Sequence, residues 1–196
     1  MKNINFSLNK ADIIHVKCTN GSGKSTLISL LIGYYDNYNG EIAINGIDLK
    51  TYNIKKIRKL ISILPQNPYL FKGTIQDNIY MGAPEIDSKI LKSRLGELID
   101  NGLLTGIKLN KEIIESGKDL SGGEIQRLAI ARMYMKDADV YIFDEPNNNL
   151  DKNSREFVKK FIFEKLKNKI VILISHDEEF KDIANKVLIC HCYLES

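Results

Sequence analysis

Short apolar runs alternate with helix-length amphipathic segments along this chain of 196 residues, the pattern of an α/β domain. The run IIHVK at residues 13–17 predicts a strand leading into a glycine-rich loop. Leu27, Ile28, Leu30 and Leu31 then recur at helical spacing, which predicts a helix starting near Lys24. NGEIAINGIDL contains two short alternating runs joined by Asn45-Gly46, a strong two-residue hairpin signal, so a small antiparallel piece is expected beside the parallel part. Residues from about 68 to 118 are polar, helical in period and broken by Gly82, Pro84, Gly96, Gly102 and Gly106, and read as a helical insertion. In SGGEIQRLAIARMYM the residues Ile125, Leu128, Ala129 and Met133 share one helical face. VYIF at 140–143 predicts a buried strand, followed by a helix with Phe157, Phe161 and Leu166 inward and by the buried strand IVILI at 170–174. There are no internal repeats, and the whole length fits one domain, 1–196, that buries a core without disulfides.

Charge and cysteine content narrow the function classes. A net charge of +3 is too small to point to nucleic acid, and no nucleic-acid partner is expected. The basic stretch KTYNIKKIRKL at 50–60 reads as the solvated face of a short helix rather than a lipid contact. The cysteines, Cys18, Cys190 and Cys192, are odd in number and lack framework spacing, which implies a reducing compartment. Cys190-His191-Cys192 has no second ligand pair near it in sequence and reads as the end of a last strand, not half of a zinc site. No signal peptide is recognisable, and IVILI is far shorter than the ~20 residues that span a bilayer. Any work at a membrane is expected from the water side.

The chemistry is concentrated in VKCTNGSGKSTL, residues 16–27. A glycine-rich loop lets successive backbone N–H groups turn inward onto phosphate oxygens, and the helix that follows adds positive charge from its N-terminus. Gly21 to Ser25 form this cradle. Lys24 adds a full charge, with a Coulomb energy of ~4 kcal/mol at 4 Å and an effective dielectric of 20. The Ser25 hydroxyl is the expected Mg²⁺ ligand. Cys18 stands where the motif G-x-x-x-x-G-K-[ST] opens with glycine, and its small side chain leaves the loop competent.

Other segments complete a nucleotide site. Asp144, after the VYIF strand, suits the Mg²⁺ shell, and Glu145 suits orienting or deprotonating an attacking water. His176, at the end of the IVILI strand, suits a contact to a γ-phosphate; Gln66, after ISILP, suits reaching the metal or the water. LSGGE at 120–124 sets Ser121, Gly122 and Gly123 at a helix start, a second anion-binding site in one chain. Two such sites make sense if each molecule offers one to the nucleotide held by a partner.

With these motifs in this order, the chain resembles the ATPase domain of ATP-binding cassette (ABC) transporters over essentially its whole length. The matching segments are the phosphate loop CTNGSGKST, the Q-loop Gln66, the signature LSGGE, the Walker B run VYIFDE, the D-loop ending in Asp151 and the switch His176. PYLFKGTIQDNI at 68–79 and Glu115 look like features of exporter-type members. The resemblance implies a P-loop NTPase, RecA-like core with a small antiparallel β subdomain and an inserted helical subdomain, about 68–118. It implies a head-to-tail homodimer or pseudo-dimer around two ATP molecules with Mg²⁺. Asn20, Gly21, Ser22, Gly23, Lys24, Ser25 and Thr26 of one subunit would face Ser121, Gly122 and Gly123 of the other, with Asp151 at the same interface. Ser25, Gln66 and Asp144 would serve the metal, Glu145 would be the general base, and His176 and Gln66 would sense the γ-phosphate. A transmembrane transporter subunit or domain would be the partner, with this domain peripheral on the cytoplasmic side.

The sequence departs from the family's pattern at four places. Cys18 is one. The family's adenine-stacking aromatic has no counterpart upstream of the loop within this chain, where only Phe6 is present, in the wrong position. By analogy with base–aromatic stacking of ~1–3 kcal/mol, ATP affinity is expected to fall roughly tenfold to a hundredfold. His15 and Lys17 alternate with Ile14 and Val16 on a strand the fold would cover on both faces, so that face is expected to be partly open. Asn147 to Asn149 replace small hydroxyl residues after Glu145. The alternative to a motor is a regulatory module that holds nucleotide with weak or no turnover.

Overall fold

The computed structural model describes residues 4–19, 21–83, 86–114, 117–148, 150–176 and 178–190. In chain order these hold β1 (Ile13–Cys18), α1 (Lys24–Leu31), β2 (Ala43–Ile44), β3 (Ile47–Asp48), α2 (Ile54–Leu60), β4 (Ile61–Leu64), β5 (Gly73–Thr74), α3 (Ile75–Tyr80), α4 (Ser88–Asp100), β6 (Glu112–Ile113), α5 (Gly122–Met135), β7 (Val140–Asp144), α6 (Lys152–Lys165), β8 (Ile170–Ser175) and β9 (Lys186–Cys190). The chain divides into two compact units. The first runs up to Ser62 and adds Ala138–Phe143 and Leu166 onward; the second takes Ile63–Asp137 and Asp144–Lys165. The second therefore holds the segment 68–118 together with α5 and α6.

A sheet in the order β4–β7–β8–β1–β9 organises the first unit. β1 lies between β8 and β9 and is parallel to both. Parallel strands need long crossovers and cover on both faces, which is why β7 and β8 read as unbroken apolar runs. Val16, Ile142, Phe143, Val171, Leu173 and Ile174 are fully enclosed. The open face expected beside His15 and Lys17 exists only at Lys17. His15 is 0% exposed, and its Nε2 lies 3.3 Å from the backbone carbonyl of Ser175. An imidazole can be buried there because it can be neutral and donate to that oxygen. Lys17, 24% exposed at the side chain, meets Glu178 at 2.6 Å.

Local chemistry sets the element ends. α1 stops at Gly33, whose φ of 69° is left-handed. Tyr34 N–H then reaches back to Ser29 O at 2.8 Å and Gly33 N–H to Leu30 O at 3.0 Å, closing the helix with a Schellman turn. β2 and β3 are antiparallel, and the left-handed φ values of Asn45 (53°) and Gly46 (74°) are those of the expected type I′ turn. In the basic stretch, Asn53 caps α2 through Lys55 N–H, and Ile57 alone is buried on that helix. Its lysines and arginine are solvated.

In the second unit α3, α4, α5 and α6 supply the core. Leu91, Leu95 and Leu98 of α4 are buried at helical spacing. Tyr134 of α5 meets Phe161 of α6 edge to face at 5.1 Å, while Glu97 accepts from Tyr134 Oη at 2.9 Å and from Lys165 Nζ at 2.8 Å. Within the segment read as a helical insertion, β5 and β6 also pair antiparallel, Gly73 with Ile113 and Thr74 with Glu112.

The second unit is fastened by a polar knot on Asn78, which is 1% exposed. Its Oδ1 accepts from Phe71 N–H at 2.7 Å, and its Nδ2 donates to Phe71 O at 2.8 Å and Thr74 O at 3.1 Å. Arg132 of α5 donates Nε to Asn78 O at 2.8 Å, Nη2 to Asn78 Oδ1 at 2.8 Å and Nη1 to Tyr69 O at 2.7 Å. Beside it, Gly82 allows α5 to approach closely: a Cβ at that position would lie 2.1 Å from Arg132 O. Gly82→Ala is expected to lower stability by about 1–3 kcal/mol through overpacking, read as a lower urea midpoint.

Candidate functional site

The first unit positions the phosphate loop. β1 delivers the chain at Cys18, and Ser22 N–H closes a turn onto Thr19 O at 3.1 Å. Gly21 and Gly23 have φ of 77° and 93°, conformations that turn consecutive N–H groups to one side. Gly23 is also the N-cap of α1, and no side chain caps that helix start. Orphan N–H groups at a helix N-terminus with no side-chain acceptor are what an anionic oxygen satisfies. A Cβ at Gly21 would meet nothing within 4 Å, so the space above the loop is open. Ser22 is buried, and its Oγ makes no hydrogen bond within the described residues. Lys24 is half-buried, whereas Ser25 and Thr26 are exposed at the first helical turn. These features fit a phosphate group. Asn20 lies outside the described residues.

His176 follows β8 directly and is exposed. Since Lys17 is paired in register with Ser175, the strand end before the loop and the strand end before His176 are adjacent. On the other side of β1, Cys18 is paired with Cys190 of β9. His191 and Cys192 lie outside the described residues, as does Glu115.

The second unit holds the other candidates. Asp144 ends β7 half-buried, and Glu145 follows with 3% exposure and a left-handed φ of 49°. The loop after it is built by turns, Asn148 N–H to Glu145 O and Leu150 N–H to Asn147 O, both 3.2 Å. Gln126, buried on α5, donates its Nε2 to Pro146 O at 3.2 Å and so ties this loop to the helix that begins at the signature. Gln66, two residues beyond β4, is exposed.

Two predicted nucleotide contacts have structural duties of their own. Ser121 is the N-cap of α5: its Oγ accepts from Glu124 N–H at 3.2 Å, and its own N–H donates to Glu124 Oε2 at 2.8 Å, a capping box. The Ser121 backbone N–H, and then its hydroxyl, hold the Glu124 carboxyl below its ordinary range. Gly122 and Gly123 follow as the first helical residues. Asp151 accepts Ser154 N–H at 2.7 Å at the start of α6, and that backbone bond lowers its carboxyl pKa.

Among the described residues no three His, Cys, Asp or Glu side chains cluster as a metal site. Mg²⁺ needs no such cage, since it keeps several waters and takes one or two protein ligands plus substrate phosphates. The Ser25 hydroxyl and the Asp144 carboxylate are hard oxygen donors of that kind. Among the described residues no helix is long and apolar enough to cross a membrane.

Sequence reasoning missed Gln126, Asn78 and Arg132. Apart from the bond between Arg132 and Asn78 Oδ1, 54 residues apart, their partners are backbone carbonyls and amides, which leave no residue-type signal.

Comparison with known proteins follows the same lines. The sequence profile of the ABC transporter family matches residues 1–148. A glutathione/L-cysteine transport system ATP-binding/permease protein of Escherichia coli is 33% identical over 90% of this chain and 31% of its own length. An ATP-dependent lipid A-core flippase of Vibrio vulnificus is 33% identical over 96% of this chain and 33% of its own length. A lactococcin transport/processing ATP-binding protein of Lactococcus lactis is 31% identical over 96% of this chain and 27% of its own length. The chain thus spans about a third of the length of the curated relatives it matches. A solved bacterial Atm1-family ABC exporter with ATP bound superposes with a TM-score of 0.82 at 28% identity, over 95% of this chain and 33% of that one.

Proposed function

The chain belongs to the ABC transporter family as an exporter-like ATP-binding domain, and from that premise we propose that it hydrolyses ATP to drive a membrane exporter. The phosphate loop carries this reading: left-handed Gly21 and Gly23 lead into a helix start that no side chain caps. Lys24 would neutralise phosphate charge, Ser25, Asp144 and Gln66 would serve Mg²⁺ as oxygen donors, and Glu145 would take a proton from the attacking water. His176 and Gln66 report the γ-phosphate. When bound, Mg²⁺ offsets negative charge on the phosphate oxygens.

We propose that two copies, or this domain and a homologous one, dimerise head to tail. Gly122, Gly123 and Ser121 of one then face the nucleotide of the other, with Asp151 at the same interface. Ser121 keeps its capping bonds while its hydroxyl lone pairs leave room for further partners. The chain's third-length match to ATP-binding/permease proteins supports a transmembrane partner. That partner places the domain on the cytoplasmic face.

The test is ATP hydrolysis measured against protein concentration. A rate that rises more than linearly supports the dimeric motor, and a strictly linear rate rejects the shared site. ATP binding without hydrolysis at any concentration favours the regulatory module. Lys24→Ala is expected to weaken binding of a fluorescent ATP analogue by about tenfold to a hundredfold, matching the ~1.5–3 kcal/mol of a hydrogen bond to a charged group.

A further inference from the structure

Cys18 and Cys190 are distant in sequence and side by side in the fold. They are register partners on the adjacent parallel strands β1 and β9, so their side chains leave the sheet on the same face. Both are buried, at 2% and 4% exposure, and both are free thiols. Paired residues on neighbouring strands sit about 4.8 Å apart, inside the ~4.4–6.8 Å that a disulfide spans between Cα atoms. Cys18 is the last residue of β1 and the root of the phosphate loop, whereas β9 is an edge strand of the sheet among the described residues.

We propose that Cys18 and Cys190 are a reversible disulfide-forming pair whose oxidation by a small-molecule disulfide locks the root of the phosphate loop and weakens nucleotide binding. The lock acts on the ATP site and so rests on the ATP-binding reading above. In the first step one thiolate, most readily Cys190 when the edge strand opens, attacks a sulfur of the small disulfide R–S–S–R. A mixed disulfide forms and one R–SH leaves. The Cys18 thiolate then attacks the Cys190 sulfur, the Cys18–Cys190 bond forms and the second R–SH leaves. Two protein thiols are oxidised and one disulfide is reduced to two thiols, so electrons and protons balance.

Burial, aided by a hydrogen bond with Cys18, pushes the Cys190 thiol up to about 12. Cys190 is therefore protonated and inert in the closed sheet, and only local opening of β9 admits the oxidant. A disulfide draws its Cβ atoms to about 3.8 Å, closer than the strand spacing, so closing the bond must pull the backbone at Cys18. The orientation of the loop's N–H groups depends on that backbone.

The test uses the full chain with Cys192→Ser, which leaves this pair as the only cysteines. It is incubated with oxidised glutathione, and intact mass and peptide mapping are read beside the affinity for a fluorescent ATP analogue. Loss of two hydrogens in mass, a peptide joining Cys18 to Cys190 and an affinity about tenfold lower or worse, restored by dithiothreitol, are expected. An unchanged mass, or glutathione adducts without the link, overturns the pair. A complete link with unaltered affinity overturns the lock. Cys190→Ser in the same background is expected to form no link and to keep its affinity under oxidant. The reduced protein tests the ATP reading separately: if it binds no nucleotide, that reading fails while the mass still decides the disulfide.

Discussion

Glu145→Gln is expected to slow turnover by about 10²–10⁴-fold while ATP stays bound. The carboxylate is almost fully buried directly after a buried strand, on a loop that Gln126 ties to α5 through Pro146 O. Glutamine has the same shape and keeps that loop, but cannot accept a proton from water. Removing a general base costs about 10²–10⁴-fold in rate, so phosphate release should fall by that factor with nucleotide affinity preserved. On a sizing column with MgATP the variant should elute as a dimer. A rate within about tenfold of the parent would assign the proton to another group, since it falls short of the effect of losing a general base.

Asn78→Ala is expected to cost about 3–5 kcal/mol of stability, because three part-buried backbone groups each lose a partner at about 1–3 kcal/mol apiece. The alanine would leave the backbone N–H and carbonyl of Phe71 and the carbonyl of Thr74 without their side-chain partners. It would also remove one of the oxygens that receive the Arg132 guanidinium. Burial already works against that cation and lowers its pKa, so losing an acceptor is felt in full. Urea unfolding of the full chain measures the loss. A cost below about 1 kcal/mol would mean that water replaces the amide. Arg132→Lys should also destabilise, because an ammonium cannot reproduce the guanidinium's fork to the Tyr69 and Asn78 oxygens.

What could be read from the sequence is whatever has a local signature. The buried strands β7 and β8 appear as apolar runs, α1 as a helical period after glycines, and the β2–β3 turn as Asn45-Gly46. The glycine-rich loop and the Asp144-Glu145 pair at the end of β7 could be picked out as candidates because their residue types stand together in one short segment. Interactions across long separations left no trace. β5 and β6 are two residues each, too short for any alternation, and pair across the helices between them. Arg132 reads as one polar residue on an amphipathic helix until Asn78 and Tyr69 are placed beside it. The closing of the β1 face at His15 was not foreseen because the alternation was weighed on the cost of burying Lys17, which does not apply to His15. With its Nε2 against the Ser175 carbonyl, an imidazole can be carried in a core. The capping duties of Ser121 and Asp151 were hidden for a different reason, since the residue types that suit a helix cap also suit an anion site.

The left-handed backbone at Glu145 sets stability against chemistry. For a side chain like glutamate that conformation costs roughly 1–2 kcal/mol, and glycine or asparagine would relieve most of it. A lineage selected only for a sturdier fold would therefore drift away from glutamate at this position. A glutamate at 145 thus carries a backbone cost the fold does not require, which is in keeping with the role proposed for it.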